Sequence, residues 1–261
     1  MDVQAPAISV VISTYDDRDL VNKKLDEIKA QTAFEASEFI FVEPDSPGTE
    51  RDLLEPFCAE NPNCRLLALE ERINLYAAWN RGWEAARAEF VCISNMDDTM
   101  HPDLLRRMTA AMQAQKWDLA SVLITKQWLG VGWSELEGRR TRDLTLSTRP
   151  GPFFAWRSDL KDTVGMFDER MTVAGDRDFW ARAGHFSLKT GLLPEILYIY
   201  SKHPGQLSKT SGFEAVKAAD MKIAGEKPYA HQWSPGIQRA IRRQRRFHYC
   251  FGWKRVLGMS L

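Results

Sequence analysis

The sequence predicts an α/β fold in which a mostly parallel central sheet is flanked by helices. Short β-branched or apolar runs alternate with amphipathic stretches of helical spacing, which is typical of parallel sheets. Polar residues gather directly after several apolar runs, where the strands of such a sheet end. A length of 261 residues is enough for one sizeable domain of this class with a buried core.

The elements follow one another regularly in the first half of the chain. The apolar runs predict strands over residues 8–12, 39–42, 65–69 and 90–93. Apolar residues at helical spacing predict helices over residues 18–31, 49–59, 75–88 and 102–115. The second half is less regular, and its landmarks are the segments 151–160, 165–182 and 192–208.

Composition excludes several classes of protein. The 35 basic and 35 acidic residues give a net charge of zero, so the whole chain is not expected to bind nucleic acid. The cysteines form neither a paired framework nor a zinc pattern, which fits a reduced cytosolic compartment; they are Cys58, Cys64, Cys92 and Cys250. We expect no signal peptide and no membrane-spanning helix, because no apolar stretch is long enough.

The ends of three predicted strands carry side chains that suit a binding site. Hydroxyls, an aromatic ring and carboxylates follow these strands, in the segments 13–16, 43–45 and 95–98. No G-x-G-x-x-G or G-x-x-x-x-G-K-[ST] motif is present, which argues against a dinucleotide fold and a P-loop. Carboxylates could instead hold Mg²⁺ or Mn²⁺, and the cation would bind the diphosphate of a nucleotide.

Five segments, in order, resemble the motifs of family 2 glycosyltransferases, which have the GT-A fold. They are ISVVISTYDD, FIFVEPDSPGT, NLYAAWNRGWEAARAEFVCISNMDD, GMFDERMTVAGDRDFWAR and KHPGQLS. The third is the most specific, since it is similar to the family's G-x-x-x-A-x-N-x-G stretch and the D-x-D motif after it. The resemblance extends over about residues 7–208.

The resemblance implies a metal site in the D-x-D segment. Asp97 would bind Mn²⁺ or Mg²⁺ and bridge it to the donor diphosphate, although Asp97 could also serve only as a turn residue. Asn95 replaces the commoner Asp, as in an N-x-D-D subgroup, and we expect it to bind a ribose hydroxyl. Asp98 would cap the next helix or brace the turn. His203 would complete the metal site, or else be a surface histidine.

The resemblance also implies a nucleotide site. Ser13, Thr14 and Tyr15 match the base-binding turn, with Tyr15 offering its ring to the base or packing at the strand end. Glu43 matches an acid that reads the base edge, but Pro44 replaces the acid after it, so Glu43 and Asp45 both stay candidates.

Two asparagines complete the predicted site. Asn74 stands where the family often has glycine, so we expect a left-handed backbone there more than a ligand contact. Asn80 would tie loops together by hydrogen bonds.

The catalytic base is implied at the start of the helix near residue 176. The family has a Glu-Asp pair there, and this chain has Gly175-Asp176. The resemblance therefore implies that Asp176 is the base. Asp178 is the competitor, but it points in a different direction on a helix and could pair with Arg182.

These features predict an inverting glycosyltransferase. It would move a sugar from a nucleotide-diphosphate sugar, with a UDP-sugar as the expected donor, to a hydroxyl of a glycan or lipid-linked acceptor. The alternative is a catalytically weak relative that only binds a nucleotide sugar or a partner, and a nicotinamide dehydrogenase is less well supported. The expected organisation is a GT-A domain over residues 1–210, with a nucleotide half (1–102) and an acceptor half (103–210). The segment 127–152 would recognise the acceptor.

The C-terminal extension, residues 211–261, is expected to be helical, and its last part is basic and aromatic. Residues 237–261 contain seven basic residues and no acid, with aromatic residues between them. This composition suits the anionic inner face of a membrane, which would make the cytoplasmic protein a peripheral membrane protein. The alternative is a helix whose aromatic residues pack on the catalytic domain.

Overall fold

The computed structural model describes residues 5–137, 139, 144–147, 151–186, 188–206, 209 and 211–226. Strands and helices alternate through the first part of the chain. The strands there are β1 (Ile8–Ser13), β2 (Ser37–Pro44), β3 (Cys64–Leu69) and β4 (Phe90–Ile93). The helices between them are α1 (Arg18–Lys29), α2 (Arg51–Glu60) and α3 (Leu75–Ala85).

The second part contains shorter elements and one long strand. Its strands are β5 (Thr99–Met100), β6 (Leu119–Trp128), β7 (Leu146–Ser147), β8 (Ala155–Arg157) and β9 (Thr190–Lys202). Its helices are α4 (Leu104–Gln115), α5 (Trp133–Leu136), α6 (Gly175–His185) and α7 (Phe213–Gly225), with a 3₁₀ helix at Ser158–Asp162. Among the described residues, no helix has the length and apolar character needed to cross a membrane.

One sheet carries all these strands in the order β3-β2-β1-β4-β8-β6-β9-β5, and β7 pairs with β6. The pairs β1–β2, β1–β4, β2–β3 and β6–β9 are parallel and hold most of the residues in register. The antiparallel pairs involve the short strands β5, β7 and β8. The predicted α/β fold with a mostly parallel sheet and flanking helices is confirmed.

Several predicted boundaries shift by a few residues. Helix α1 ends at Lys29 rather than at residue 31, and α3 ends at Ala85 rather than at residue 88. Helix α4 begins at Leu104 rather than at residue 102, because the chain before it first forms β5 against β9. Strand pairing with a distant segment thus delays the start of that helix.

Hydrophobic clusters cover both faces of the sheet. Val10 and Ile12 belong to the cluster beneath α1 and α4, whereas Val11 points to the cluster beneath α3 and α6. Gly82 explains how α3 approaches so closely: a Cβ atom there would lie 2.3 Å from a methyl carbon of Val11. The strands β1, β2 and β4 are therefore buried on both faces, as parallel strands usually are, and their ends remain accessible.

Candidate functional site

A cleft of about 1160 Å³ opens at the carboxyl ends of β1 and β4 and beside the end of β9. It collects predicted site residues from distant parts of the chain: Ser13, Thr14, Tyr15, Asn74, Asn95, Asp97, Asp176 and His203. Clefts of this kind at strand ends are where open α/β sheets bind ligands. Sequence-distant residues with polar side chains therefore share one cavity.

Asp97 and His203 meet in this cleft. Strand β9 ends at Lys202, and the next residue is His203, whose Nε2 atom lies 3.0 Å from Oδ2 of Asp97. Both side chains are 22% exposed, so they face the cavity. A carboxylate oxygen is a suitable ligand for Mn²⁺ or Mg²⁺, which often take their other ligands from substrate phosphates and water. An imidazole nitrogen is a softer ligand, which Mg²⁺ accepts less readily. Within the described ranges, no three His, Cys, Asp or Glu side chains gather as a complete metal site. The pair fits a cation that is shared with a bound diphosphate.

Asp98 is buried and braces the turn instead of capping a helix. Its Oδ1 atom accepts a hydrogen bond from the Ser201 backbone at 2.8 Å, and its Oδ2 atom accepts from the Tyr198 hydroxyl at 3.0 Å. Asn95 donates its side-chain amide to the same Oδ2 atom at 3.0 Å. Burial raises the pKa of the Asp98 carboxyl, and the neighbouring Asp97 carboxylate adds to the increase. Asp98 thus fastens the loop of Asp97 to β9.

A buried ion pair supports the same loop from the α1 side. Lys24 is 1% exposed and donates from Nζ to the Asp98 carbonyl at 2.8 Å and to Glu27 at 3.1 Å. Glu27 also accepts from the Met100 backbone at 3.0 Å. The Asp97 loop is consequently held from two sides, which keeps its carboxylate in a fixed place.

The turn after β1 is fastened to the segment after β2. Glu50 accepts hydrogen bonds from the Thr14 hydroxyl at 3.1 Å and from the Asp17 backbone at 2.6 Å. The Arg72 guanidinium lies 4.2 Å from the centre of the Tyr15 ring, and the cation–π attraction between them stabilises the position of the ring. Ser13, Thr14 and Tyr15 therefore line the cleft in a rigid turn.

Glu43 and Asp45 lie outside the set of residues that line the cleft, although Pro44 between them belongs to it. Glu43 is 2% exposed, and its Oε2 atom accepts from Nε and a terminal nitrogen of Arg51 at 3.1 and 2.9 Å. Asp45 is exposed and has a positive φ of 48°. Recognition of the base by either acid therefore stays a prediction.

Asn74 and Asn80 both hold the loop that precedes α6. The left-handed backbone expected at Asn74 is wrong: with φ −78° and ψ 170° it is the extended N-cap of α3, and its side chain accepts from the Ala77 backbone at 2.9 Å. Asn80 exchanges hydrogen bonds of 2.9 and 3.0 Å with the Phe167 backbone. Asn80 ties loops together as predicted, and it is not among the residues that line the cleft.

Asp176 and Asp178 have different environments in the first turn of α6. Asp176 lines the cleft, and burial raises the pKa of its carboxyl to about 6. Asp178 is 1% exposed and accepts from Nε of Arg182 at 2.8 Å. Geometry therefore favours Asp176 over Asp178 as a group that reaches a substrate.

Three site residues were not predicted from the sequence. Asp17 lines the cleft, and burial raises the pKa of its carboxyl to about 6, with the Asp97 carboxylate contributing. Tyr76 lines the cleft beneath Asp176. Asp220 of α7 accepts backbone hydrogen bonds from Val173 and Ala174 at 2.7 and 2.9 Å, and so holds the start of α6. Only Asp17 gave a sequence signal, since it directly follows the polar turn of β1.

Comparison with solved structures shows the fold. S. aureus TarS 1-349 in complex with UDP-GlcNAc is 18% identical with a TM-score of 0.65, covering 94% of this chain and 76% of TarS 1-349. The mannosyltransferase PcManGT from Pyrobaculum calidifontis, in complex with GDP-Man and Mn²⁺, is 15% identical with a TM-score of 0.61. That alignment covers 95% of this chain and 73% of PcManGT.

Comparison with other sequences shows the family. The succinoglycan biosynthesis protein ExoO of Rhizobium meliloti (strain 1021) is 24% identical over 250 residues, or 88% of this chain and 70% of ExoO. The putative glycosyltransferase EpsH of Bacillus subtilis (strain 168) is 27% identical over 106 residues, or 41% of this chain and 30% of EpsH. The sequence model described as Glycosyl transferase family 2 matches residues 9–163. Because this match covers more than half of the chain, including the Asp97 loop, the protein belongs to glycosyl transferase family 2.

Proposed function

We propose that this glycosyltransferase moves a sugar from a nucleotide-diphosphate sugar, most simply a UDP-sugar, to an acceptor hydroxyl with inversion at the anomeric carbon. The observation that carries the proposal is the single cleft that holds the Asp97–His203 pair together with Asp176. The neighbouring structures with UDP-GlcNAc and with GDP-Man support a nucleotide-sugar donor.

The residues divide the chemistry between them. Asp176 accepts the proton of the acceptor hydroxyl, whose oxygen then forms a bond to the anomeric carbon. The bond from that carbon to the diphosphate breaks, and the diphosphate leaves with the electron pair. Asp97 and His203 would hold Mn²⁺ or Mg²⁺, which supplies charge compensation for the leaving group. Tyr15 and Asn95, which line the cleft, would contact the nucleoside. The PcManGT complex with Mn²⁺ supports the choice of cation.

The acceptor would approach over a ladder of basic and aromatic side chains on β6 and β9, which we call the β6–β9 ladder: Lys126, Trp128, Tyr200 and Lys202. Lys126 is paired with Tyr200, and Trp128 with Lys202. The two Nζ atoms lie 5.7 and 5.2 Å from the facing ring centres, and Trp128 is 66% exposed. Lys126 and Tyr200 also line the cleft. An exposed ring beside lysines suits a glycan acceptor, including one with anionic groups.

We retain the division into a nucleotide half (1–102) and an acceptor half (103–210) as a proposal. The turn after β1 and the Asp97 loop lie in the first half, and the β6–β9 ladder and Asp176 lie in the second. His203 contacts Asp97 from the other half, so the proposed metal site would lie between the two.

The test is turnover of a panel of nucleotide sugars with Mn²⁺ or Mg²⁺, followed as release of the nucleoside diphosphate. We expect one UDP-sugar to be turned over, EDTA to stop the reaction and Mn²⁺ to restore it. Donor binding without any turnover, with or without candidate acceptors, would favour the alternative of a nucleotide-sugar binding module. In a glycan-acceptor assay, Trp128→Ala should raise the KM for the acceptor more than that for the donor.

We further propose a peripheral membrane location for an acceptor that is linked to lipid. The basic and aromatic segment 237–261 that supports this proposal lies outside the described residues. Each Lys or Arg near an anionic surface contributes about 1 kcal/mol of binding. The full chain should co-sediment with anionic vesicles in a salt-dependent way, and a chain that ends near Ser234 should not. Equal recovery of both chains would contradict the proposed membrane location.

A further inference from the structure

Lys24 and Glu27 form an ion pair that is buried on the core-facing side of α1. Their side chains are 1% and 8% exposed, and Val21, Leu25 and Ile28 of the same helix belong to the hydrophobic cluster there. Within the described residues, the Oε2 atom of Glu27 is buried without a hydrogen-bond partner. A buried ion pair often stabilises a fold no better than apolar residues of similar volume, because both charges lose their hydration. Fold stability alone therefore does not account for this pair.

The hydrogen bonds of the pair converge on the segment that carries Asp97. The ammonium group of Lys24 donates to three acceptors: Glu27 at 3.1 Å, the Ser94 hydroxyl at 3.3 Å and the Asp98 carbonyl at 2.8 Å. Glu27 in turn accepts from the Met100 backbone at 3.0 Å. The pair therefore holds the chain on both sides of Asp97.

The pair supplies these hydrogen bonds without adding net charge beside Asp97. An ammonium group alone at this place would repel a divalent cation on the adjacent carboxylate, since like charges interact strongly where the dielectric constant is low. The carboxylate of Glu27 compensates the charge of Lys24 at a distance of 3.1 Å. A lysine that is neutralised by its own helix is therefore suited to hold a loop that binds cations.

We propose that Lys24 and Glu27 are positioning residues for cation binding, which fix the segment 94–100 so that Asp97 meets His203 in the cleft. The proposal rests on the proposed metal site of Asp97 and His203. Neither Lys24 nor Glu27 is among the residues that line the cleft, so both act through the loop and not by contact with the cation or the donor.

The double variant Lys24→Met/Glu27→Leu separates this role from fold stability, because apolar side chains fill the same space. We expect its melting temperature to stay close to that of the wild type or to rise. The Kd for Mn²⁺ is measured in the presence of UDP, from the electron paramagnetic resonance signal of free Mn²⁺. It should rise about 10- to 100-fold, as is usual when a group that holds a metal ligand in place is removed. A folded double variant with wild-type affinity for Mn²⁺ would overturn the proposal.

Glu27→Gln provides a second arm with a matched control. It leaves the charge of Lys24 uncompensated, so we expect a lower melting temperature and weaker Mn²⁺ binding. Glu38→Gln breaks another buried ion pair, in which Glu38 lies 2.8 Å from Arg65 near the amino ends of the strands, away from the cleft. It should lower the melting temperature and leave the Kd for Mn²⁺ unchanged.

Equal Mn²⁺ affinity of Glu27→Gln and Glu38→Gln would overturn the proposal, even where the apolar double variant does not fold. Absence of Mn²⁺ binding by the wild-type protein would instead overturn the proposed metal site, and the role of the pair with it. The two failures are therefore distinguishable.

Discussion

At the scale of single residues, two adjacent aspartates differ in burial, and therefore in whether a ligand can reach the side chain or whether it holds the loop in place. Asp97 is partly exposed beside His203, whereas Asp98 is 1% exposed and accepts from Tyr198, Asn95 and the Ser201 backbone. Both are acids of one motif, but only the first has a side that a ligand can reach.

This difference predicts opposite effects of the same substitution. Asp97→Asn should abolish cation-dependent turnover and leave the melting temperature close to wild type, because asparagine keeps the volume of this partly exposed side chain. Asp98→Asn should destabilise the fold by about 1–3 kcal/mol, because its amide would place a donor among groups that already donate. Thermal unfolding and diphosphate release of both variants measure the two effects. Wild-type-like transfer by Asp97→Asn would remove it from the metal site.

Asp176 predicts the acidic limb of the activity profile. Burial raises the pKa of its carboxyl from 3.8 to about 6, so below that pH the group is protonated and cannot accept a proton. We expect kcat/KM to fall as the pH drops through about 6. Asp176→Asn should lower kcat by ~10²–10⁴, the contribution of a general base, with donor affinity almost unchanged. Greater damage from Asp178→Asn would instead identify Asp178 as the base.

At the scale of elements, α7 belongs to the support of the site although the family match ends at residue 163. Its Asp220 accepts hydrogen bonds from three successive backbone amides, those of Thr172, Val173 and Ala174, directly before α6. These amides fix where α6 begins, and hence where Asp176 stands.

Asp220→Ala should therefore affect both stability and catalysis. It leaves buried backbone donors unpaired, so we expect a loss of about 1–3 kcal/mol in the free energy of unfolding. The kcat should fall because Asp176 loses its fixed position, while the donor KM changes little. The exposed Glu214→Ala in the same helix is the control and should change neither. An active, stable Asp220→Ala protein would show that α7 is dispensable.

Sequence reasoning succeeded for elements with a local cause and failed for those with a distant one. Strands β1 to β4 were predicted because apolar runs and polar ends are local properties. Asn74 is a different case, because its N-cap role is local: its side chain accepts from the Ala77 backbone three residues further on. The glycine of the family motif suggested a left-handed backbone instead. The contact of Tyr76 with Gly175 and the hydrogen bonds of Asp220 to the residues before α6 join α3, α6 and α7, which are distant in the chain. Such contacts have no signature in a single sequence.

At the scale of the whole molecule, one sheet underlies both halves of the cleft. Strand β8 pairs with β4 on one side and with β6 on the other, so the two halves share backbone hydrogen bonds. The sequence could predict several of the residues that line the cleft, since their motifs lie at strand ends. It could not predict that the sheet continues without a break, because β8 pairs only three residues with β4.

The continuous sheet predicts that the two halves unfold together. Tryptophan fluorescence and far-ultraviolet circular dichroism should give coincident denaturant transitions, because neither half keeps a complete sheet without the other. A fluorescence transition that is clearly separated from the dichroism transition would instead show that the proposed halves are independent domains.

Strand β9 also determines when the site comes into existence as the chain folds. Asp97 and His203 are 106 residues apart, and the second of them arrives only when β9 has paired with β6 and β5. Contacts between such distant residues require a large loss of chain entropy before they form, and are expected late. During synthesis, most residues of the sheet leave the ribosome before His203 does. The ion affinity proposed for this pair would thus be a property of the finished molecule, and a nascent chain that stops before β9 would lack it.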